Sequence, residues 1–397
     1  MDSSDFPRPA ASTRQTSTSV TIPARSGGIH IHAATEFALE TARENFNAQL
    51  ERLDLLQLVD SAIGENADGC SIEFRLSSLA LTADSDTSGL GQQHGLDSAA
   101  NPADLSREIL LAMLLAPADF PFRFASHAEL ASAVRMREYI VDAARKTTLA
   151  FDTMATERPE DCWQHVSGRG FILRPGQSLI HALKKATQPD ESGTLYAFSC
   201  YRATEYVILL GIARELESGN PALFAQLQTL WQARAVMSGE FHDVFLVERG
   251  SVTEPMPLKY YVPGDRVWFR NPDPHSSDVT GYEGSWVIYL GGGLFTNFWK
   301  RSAPYSLAAK CIEVFHWRDA TWRDADGELQ LDEARVEQLV QATMQDSAAV
   351  ERILAQMMRL REASGVYVDG GCIDASREYP RRVCPGTGDL ILPNAIR

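Results

Sequence analysis

The chain has 397 residues, of which 37 are Lys or Arg and 52 are Asp or Glu, so its formal net charge is −15; 44% of the residues are hydrophobic. This composition is typical of a folded protein with a core. The acidic balance and the lack of a basic run argue against a nucleic-acid or anionic-membrane partner. The longest apolar run, residues 109–118, is shorter than the roughly 20 residues that a membrane helix needs.

The first third predicts a leader followed by helices. Residues 1–34 are rich in Ser, Thr and Pro and poor in large apolar side chains, which predicts a disordered leader; a transit or export address is the alternative. The segment lacks the apolar core of a secretory signal peptide. We therefore expect a cytoplasmic protein, or one exported by a route that uses no classical signal peptide.

Residues 35–118 predict a mainly helical N-terminal extension. Apolar side chains at helical spacing favour one helix over residues 36–62, and a second begins at Asp104 or Ser106. A short alternating run at residues 72–76 predicts a strand, and a polar, glycine-bearing loop follows it.

Residues 119–318 predict helices followed by strands. A capping box of Ser126 and Glu129 begins a long helix, and Asn220 followed by proline begins another. Short alternating runs come afterwards, with a glycine triplet at residues 291–293 that predicts a hairpin. This order predicts an α+β domain. Residues 319–397 predict a helical C-terminal extension that ends in an irregular tail.

The six cysteines lie far apart and form no zinc-binding pattern, so free thiols are the expected state. A disulfide between Cys372 and Cys384 is the one alternative that their spacing leaves open. Cys200 differs from the others because it falls near the start of an apolar helix that follows a loop. The amides and partial positive charge at a helix start favour a thiolate, which predicts a nucleophile; simple packing is the alternative.

Four ordered blocks carry a family resemblance. They are the Cys200 segment, the helix after Ser126, Trp163 with the Gly-Phe-Ile-Leu-Arg run after it, and the Pro-Gly-Asp segment at residues 263–272 ahead of the hairpin. Over residues 120–299 the chain resembles the bacterial spore-coat-type transglutaminases, the protein-glutamine γ-glutamyltransferases. The resemblance implies a papain-like or NlpC/P60-like core, a cysteine nucleophile, protein substrates bearing Gln and Lys, and no cofactor.

The resemblance also implies a base, and here the chain departs from the family. The family has a glutamate on the first hairpin strand and a histidine on the second, where this chain has Ser285 and Asn297. In the family a glutamate commonly precedes the nucleophile, and this chain has Ser199 at that position. Because residues two apart on a strand share a face, Glu283 is our candidate for the base or charge partner. Asn297 is the candidate orienting group, since its amide hydrogen-bonds but takes no proton.

Other titratable residues are weaker candidates. His242 and His275 could replace the missing histidine, although structural roles are the simpler interpretation. Asp265 is expected to organise a turn, and Glu205 is expected to lie off the face of Cys200. Six aromatic residues could line a substrate channel or pack in the core: Trp163, Tyr196, Phe198, Trp268, Trp286 and Trp299.

These observations predict a transglutaminase that joins glutamine and lysine side chains through a thioester, or a glutamine deamidase if the amine site is lost. A cysteine peptidase on the same core is a second enzymatic hypothesis. A catalytically silent binding or structural module is the alternative from another class, because both partner positions are substituted.

Overall fold

The structure is a computed structural model that describes residues 27–66, 69–77, 86–152, 157–362 and 370–394. Its helices are α1 (Glu36–Arg52), α2 (Leu90–Gln93), α3 (Pro102–Leu114), α4 (His127–Lys146), α5 (Leu179–Thr187), α6 (Pro189–Ser192), α7 (Cys200–Gly219), α8 (Pro221–Ala233), α9 (Gly239–Phe245), α10 (Leu307–His316), α11 (Glu333–Met344) and α12 (Ser347–Met357).

The strands are β1 (Ile29–Ala33), β2 (Val59–Asn66), β3 (Gly69–Leu76), β4 (Phe122–Phe124), β5 (Ala150–Phe151), β6 (Trp163–Val166), β7 (Gly170–Leu173), β8 (Ala197–Phe198), β9 (Leu246–Arg249), β10 (Arg266–Arg270), β11 (Gly284–Gly291), β12 (Leu294–Phe295), β13 (Tyr305–Ser306), β14 (Thr321–Arg323), β15 (Leu329–Leu331) and β16 (Arg377–Pro380). Short 3-10 helices cover Leu56–Leu58, Ser276–Asp278 and Trp317–Asp319.

The N-terminal part contains a four-stranded sheet, which the sequence did not predict. Its strand order is β2-β3-β1-β4, with α1 packed on β1 and β3. Ile29 and Ile31 of β1 are fully buried, so the end of the predicted leader is a core strand and that part of the prediction is wrong. Residues 1–26 of the leader lie outside the described residues. The extension is therefore a mixture of helix and sheet instead of mainly helical.

Helix α1 ends at Arg52, ten residues before its predicted end. The chain leaves the helix through Asp54, whose φ of 54° is left-handed, and then enters a 3-10 turn and β2. The apolar residues beyond this turn continue the helical spacing by chance, because they serve the turn and the strand instead.

The capping box at α4 is confirmed. The Ser126 hydroxyl accepts a hydrogen bond from the amide of Glu129 at 3.1 Å. The Glu129 carboxylate accepts from the amide of Ala125 at 2.7 Å, one residue earlier than in the standard box. The helix packs along α7, so a well-capped helix supports the one that begins with Cys200.

A six-stranded sheet of order β13-β12-β11-β10-β16-β9 forms the other half of the core. Strands β10 and β11 pair antiparallel, and α7 packs on β11. Strand β16 belongs to the segment predicted as the C-terminal extension, yet it lies between β10 and β9. The segment after residue 318 is thus part of the sheet that supports the helix of Cys200.

The predicted hairpin is formed by β11 and β12, and Glu108, from the first third of the chain, hydrogen-bonds to its turn. All three glycines of the turn have positive φ. A Cβ on Gly291 would lie 2.6 Å from Oε2 of Glu108, so this position needs glycine for space as well as for conformation. The fully buried Glu108 accepts a hydrogen bond from the Gly292 amide at 2.7 Å and from the Tyr289 hydroxyl at 3.2 Å.

The mixture of helices and small, mainly antiparallel sheets confirms the α+β prediction. The helical part of the predicted C-terminal extension consists of two helices, α11 and α12, because the Asp346 side chain caps the start of α12. None of the helices in the described ranges has the length and apolar character needed to cross a bilayer.

Candidate active site

Cys200 is the first residue of the 20-residue helix α7, so the prediction that it falls near a helix start is confirmed. The short strand β8 precedes it, and the Ser199 hydroxyl accepts a hydrogen bond from the amide of Arg202 at 3.3 Å. Ser199, which replaces the glutamate expected from the resemblance, is therefore the N-cap of the helix. The body of α7 is almost entirely buried, which fixes the position of its first turn.

The thiol of Cys200 is partly buried, and neighbouring groups oppose the effect of that burial on its ionisation. Burial raises the pKa of the thiol above its ordinary value. Hydrogen bonds from the amides of Trp286 and Tyr201 lower the pKa, and so do the charges of Lys310 and Arg266. Two amides and two cations thus partly offset the cost of burying a thiolate.

A cavity of about 560 Å³ opens in front of Cys200. It is bounded by β11 and the loop before it, by the loop after β12, and by α10 and α11. The lining residues are Phe151, Cys200, Gly281, Tyr282, Gly284, Ser285, Asn297, Trp299, Lys300, Ala303, Tyr305, Ala309, Lys310, Glu313, Trp317, Leu331, Glu333, Ala334, Val336, Glu337, Val340 and Gln341. The cavity is aromatic on its walls and carries several charges of both signs.

The structure brings two of the three predicted site residues together. Cys200 and Asn297 line the cavity, and so does Ser285 at the position of the family's glutamate. Glu283 is exposed, and its carboxylate accepts a long hydrogen bond of 3.4 Å from the Gly281 amide. Glu283 precedes β11, so the strand alternation on which its prediction depended does not begin until the next residue.

Asn297 organises the loop after β12. Its Nδ2 donates to the carbonyl of Ala303 at 3.1 Å. Its Oδ1 accepts from the amides of Trp299 and Lys300 at 3.2 and 3.1 Å. These three bonds hold one wall of the cavity in place, which is a positioning role for the side chain.

The sequence did not reveal several polar residues of the cavity, and four of them form close pairs there: Lys310, Glu313, Tyr282 and Glu333. Lys310 is almost fully buried, and its ammonium lies 2.8 Å from the carboxylate of Glu313. The Tyr282 hydroxyl donates to Glu333 at 2.7 Å. Three of the four lie on α10 and α11, beyond the residues that carry the family resemblance. Only Tyr282, next to Glu283, was within reach of the sequence argument.

The weaker candidates lie elsewhere. His242 is bonded to Glu378 at 2.9 Å, and neither it nor the exposed His275 belongs to the cavity lining. Asp265 forms a buried ion pair with Arg137 at 2.7 Å and, as predicted, organises the turn before β10. Of the six aromatic candidates, Trp299 lines the cavity and Trp163 and Phe198 are core residues.

All six cysteines are free, so the Cys372 to Cys384 disulfide is not formed. Cys372 instead faces Cys311, with 3.5 Å between the two sulfur atoms. The partly exposed cysteines are Cys70, Cys200 and Cys384, and the buried ones are Cys162, Cys311 and Cys372. Among the described residues, no group of three or more His, Cys, Asp or Glu side chains is arranged to hold a metal ion.

A partly exposed thiol at the start of a buried helix, facing an aromatic cavity in an α+β fold, is an arrangement typical of proteins that transfer acyl groups through a cysteine. The family model for TGL, protein-glutamine gamma-glutamyltransferase, matches residues 86–369, more than half of the chain. The chain therefore belongs to the protein-glutamine gamma-glutamyltransferase family, which is a family of acyltransferases. The resemblance stated from the sequence is confirmed.

The chain is also similar to two individual proteins. A protein-glutamine gamma-glutamyltransferase of Halalkalibacterium halodurans is 24% identical over 213 residues, which are 52% of this chain and 67% of that protein. A solved transglutaminase from Geobacillus stearothermophilus, without its C-terminal extension, is 21% identical with a TM-score of 0.37. The match covers 54% of this chain and 97% of that one.

Proposed function

We propose that this protein is a transglutaminase in which the Cys200 thiolate attacks the side-chain carboxamide of a protein-bound glutamine. Ammonia leaves, and a thioester remains on Cys200. A lysine amine then resolves the thioester to an isopeptide bond. The observation that carries the proposal is the placement of Cys200, which begins α7, lines the cavity and receives hydrogen bonds from two backbone amides.

The surroundings of the cavity suit a long, partly apolar substrate side chain. Phe151 and Trp299 meet edge to face with 5.0 Å between ring centroids, and Tyr282 packs on Phe151 at 5.7 Å. Aromatic walls bind the methylene groups of glutamine or lysine. The backbone amide of Cys200 and a neighbouring amide at the start of α7 are our candidate donors for an oxyanion.

Three finer points belong to the same proposal. The helix of Cys200 packed on the β10 and β11 sheet supports a papain-like core, with residues 119–318 as its main part. Glu283, the base candidate from the sequence, would have to turn its carboxylate from Gly281 towards the cavity, so it is the competing candidate for the base. Asn297 orients the cavity wall. The substrates are proteins bearing Gln and Lys.

The test uses the full chain with a glutamine-bearing protein and a biotinylated alkylamine, and it measures both amine incorporation and ammonia release. Cys200→Ala should abolish both. Cys384→Ala is the matched control, because Cys384 is also partly exposed but lies outside the cavity lining, and it should retain both.

The four hypotheses give different results in this assay. A deamidase releases ammonia without incorporating the amine, and a peptidase cleaves the chain without releasing ammonia from glutamine. A silent module does neither. Labelling that persists in Cys200→Ala would refute the assignment of the nucleophile.

A further inference from the structure

The cavity must contain a proton acceptor for the chemistry of Cys200 to proceed. The thiol loses a proton when it attacks, and the incoming amine loses one when it resolves the thioester. The positions where the family has its glutamate and histidine carry Ser285 and Asn297 in this chain. Neither a serine hydroxyl nor an asparagine amide can serve as the final proton acceptor near neutral pH. The acceptor therefore has to come from another part of the cavity.

Three carboxylates line the cavity, and two of them are paired with lysines. Glu313 is 2.8 Å from the buried ammonium of Lys310. Glu337 is 2.7 Å from the exposed ammonium of Lys300. In both pairs an ammonium already occupies the carboxylate. The third, Glu333, forms no ion pair within the described part of the chain, and its hydrogen-bond donor is a neutral hydroxyl.

The donor to Glu333 is Tyr282, which is fixed on several sides. Its ring packs edge to face on Phe151 at 5.7 Å and on Trp317 at 5.2 Å. Its carbonyl accepts a hydrogen bond from the Asn271 amide at 2.9 Å. The hydroxyl thus has a fixed position between the wall of the cavity and the first residue of α11.

The Tyr282 hydroxyl belongs to the same cavity lining as the Cys200 thiol. Burial, followed by the hydrogen bond to Glu333, raises its pKa far above the ordinary value, and the charges of Glu313 and Cys200 raise it further. Tyr282 therefore stays protonated at neutral pH. A protonated hydroxyl that donates to a carboxylate can accept a proton on its oxygen while it releases its own.

We propose that Glu333 accepts the proton of the reacting groups and that the Tyr282 hydroxyl relays it. This inference rests on the proposed function. The thiol proton passes to Oη of Tyr282 and the Tyr282 proton passes to Glu333, and the remaining thiolate forms the bond to the carboxamide carbon. When the carbon–nitrogen bond breaks, the same route returns the proton to the departing nitrogen, which leaves as ammonia. The incoming amine then bonds to the thioester carbon and gives a proton to Glu333 along this path; the carbon–sulfur bond breaks, and the proton returns to the sulfur to re-form the thiol.

The consequence is that α11 completes the active site. Glu333 lies in the segment predicted to be a C-terminal extension. It follows the nucleophile by about 130 residues in the chain. The hydrogen bond from Tyr282 to Glu333 joins this helix to the loop before β11.

The experiment compares Glu333→Gln and Tyr282→Phe in the full chain, with Glu328→Gln as the control. Glu328 is an exposed glutamate five residues earlier and lies outside the cavity lining. Amine incorporation is measured from about pH 5 to about pH 9, and the thermal midpoint is measured for each variant. Each test variant should lower kcat by about a hundredfold to ten-thousandfold and lose the acid limb of the pH profile. Glu328→Gln should match the wild type.

Four further variants sharpen the test. The double variant should be no slower than either single variant, because both remove one proton path. Glu333→Asp should recover part of the rate together with the acid limb, which a structural role would not explain. Glu313→Gln and Glu283→Gln should retain the acid limb.

The results separate the two proposals. An active wild type with inactive Cys200→Ala and unchanged Glu333→Gln would overturn the relay and leave the proposed function intact. Loss of the acid limb in Glu313→Gln or Glu283→Gln instead would also overturn it. A wild type that neither incorporates amine nor releases ammonia would overturn both.

Discussion

Replacing Asn297 tests whether this side chain positions the cavity wall or takes part in the chemistry. Asn297→Ala removes three hydrogen bonds, one to the carbonyl of Ala303 and two from the amides of Trp299 and Lys300. A net contribution of about 0.5–1.5 kcal/mol per bond gives an expected loss of about 1.5–4.5 kcal/mol in the free energy of unfolding. Asn297→Asp keeps the two acceptor bonds and loses the donor, so its loss should be about 1 kcal/mol.

Urea titration followed by tryptophan fluorescence measures the stability of both variants, and the amine-incorporation assay measures their activity. If Asn297 is a positioning residue, the loss of stability and the loss of activity should increase together. Asn297→Ala is then both less stable and less active, because Trp299 and Lys300 line the cavity, and Asn297→Asp is close to the wild type in both. Asn297→Ala with wild-type stability and no activity would refute this reasoning and give the amide a direct role with substrate.

Three other predictions follow from the contacts. The side chains of Asp265 and Arg137 are 4% and 3% exposed and form a buried ion pair, which Asp265→Asn breaks. The variant should lose about 3–5 kcal/mol in the free energy of unfolding, measured by urea titration. An unchanged midpoint would contradict this prediction. The hydrogen bond to Glu378 raises the pKa of His242 above 6.5, so its stabilisation is present below that value and is lost as the pH rises through the folded-state value. His242→Gln should therefore destabilise the protein more at about pH 5.5 than at about pH 9, and an equal effect at both would count against the pair. Iodoacetamide should modify the three partly exposed cysteines of the native protein before the three buried ones, as peptide mass spectrometry would show; early modification of a buried cysteine would contradict the packing.

Local signals made much of the fold predictable. Ser126 with Glu129 marks the start of α4, Asn220 before a proline marks that of α8, and the glycine triplet marks the turn after β11. Each of these signals is a side chain or a φ angle that satisfies backbone groups within a few residues. The end of α1 had no such signal, because apolar spacing alone continues past the turn at Asp54. The sheet that contains β1 depends on pairing between distant segments, which local patterns do not encode.

The same distinction divides the site. Cys200 could be found because the start of a helix is a local feature with a direct effect on a thiol. Glu333 could not, because α11 reaches the cavity only through tertiary packing, and its glutamate has no local mark that separates it from the other glutamates of the chain.

The substitutions at residues 285 and 297 therefore do not by themselves indicate a silent site. A thiol whose pKa is raised by burial needs a proton acceptor to react, and the identity of the element that carries the acceptor has no bearing on the chemistry. The cavity holds carboxylates on α10 and α11. One of these carboxylates can serve as the base in place of the aligned glutamate if a proton can pass to it from Cys200. The hydrogen bond from Tyr282 to Glu333 joins one of these carboxylates to a hydroxyl in the same cavity lining as Cys200, and the acid limb of the pH profile is where the proposed relay should be observed.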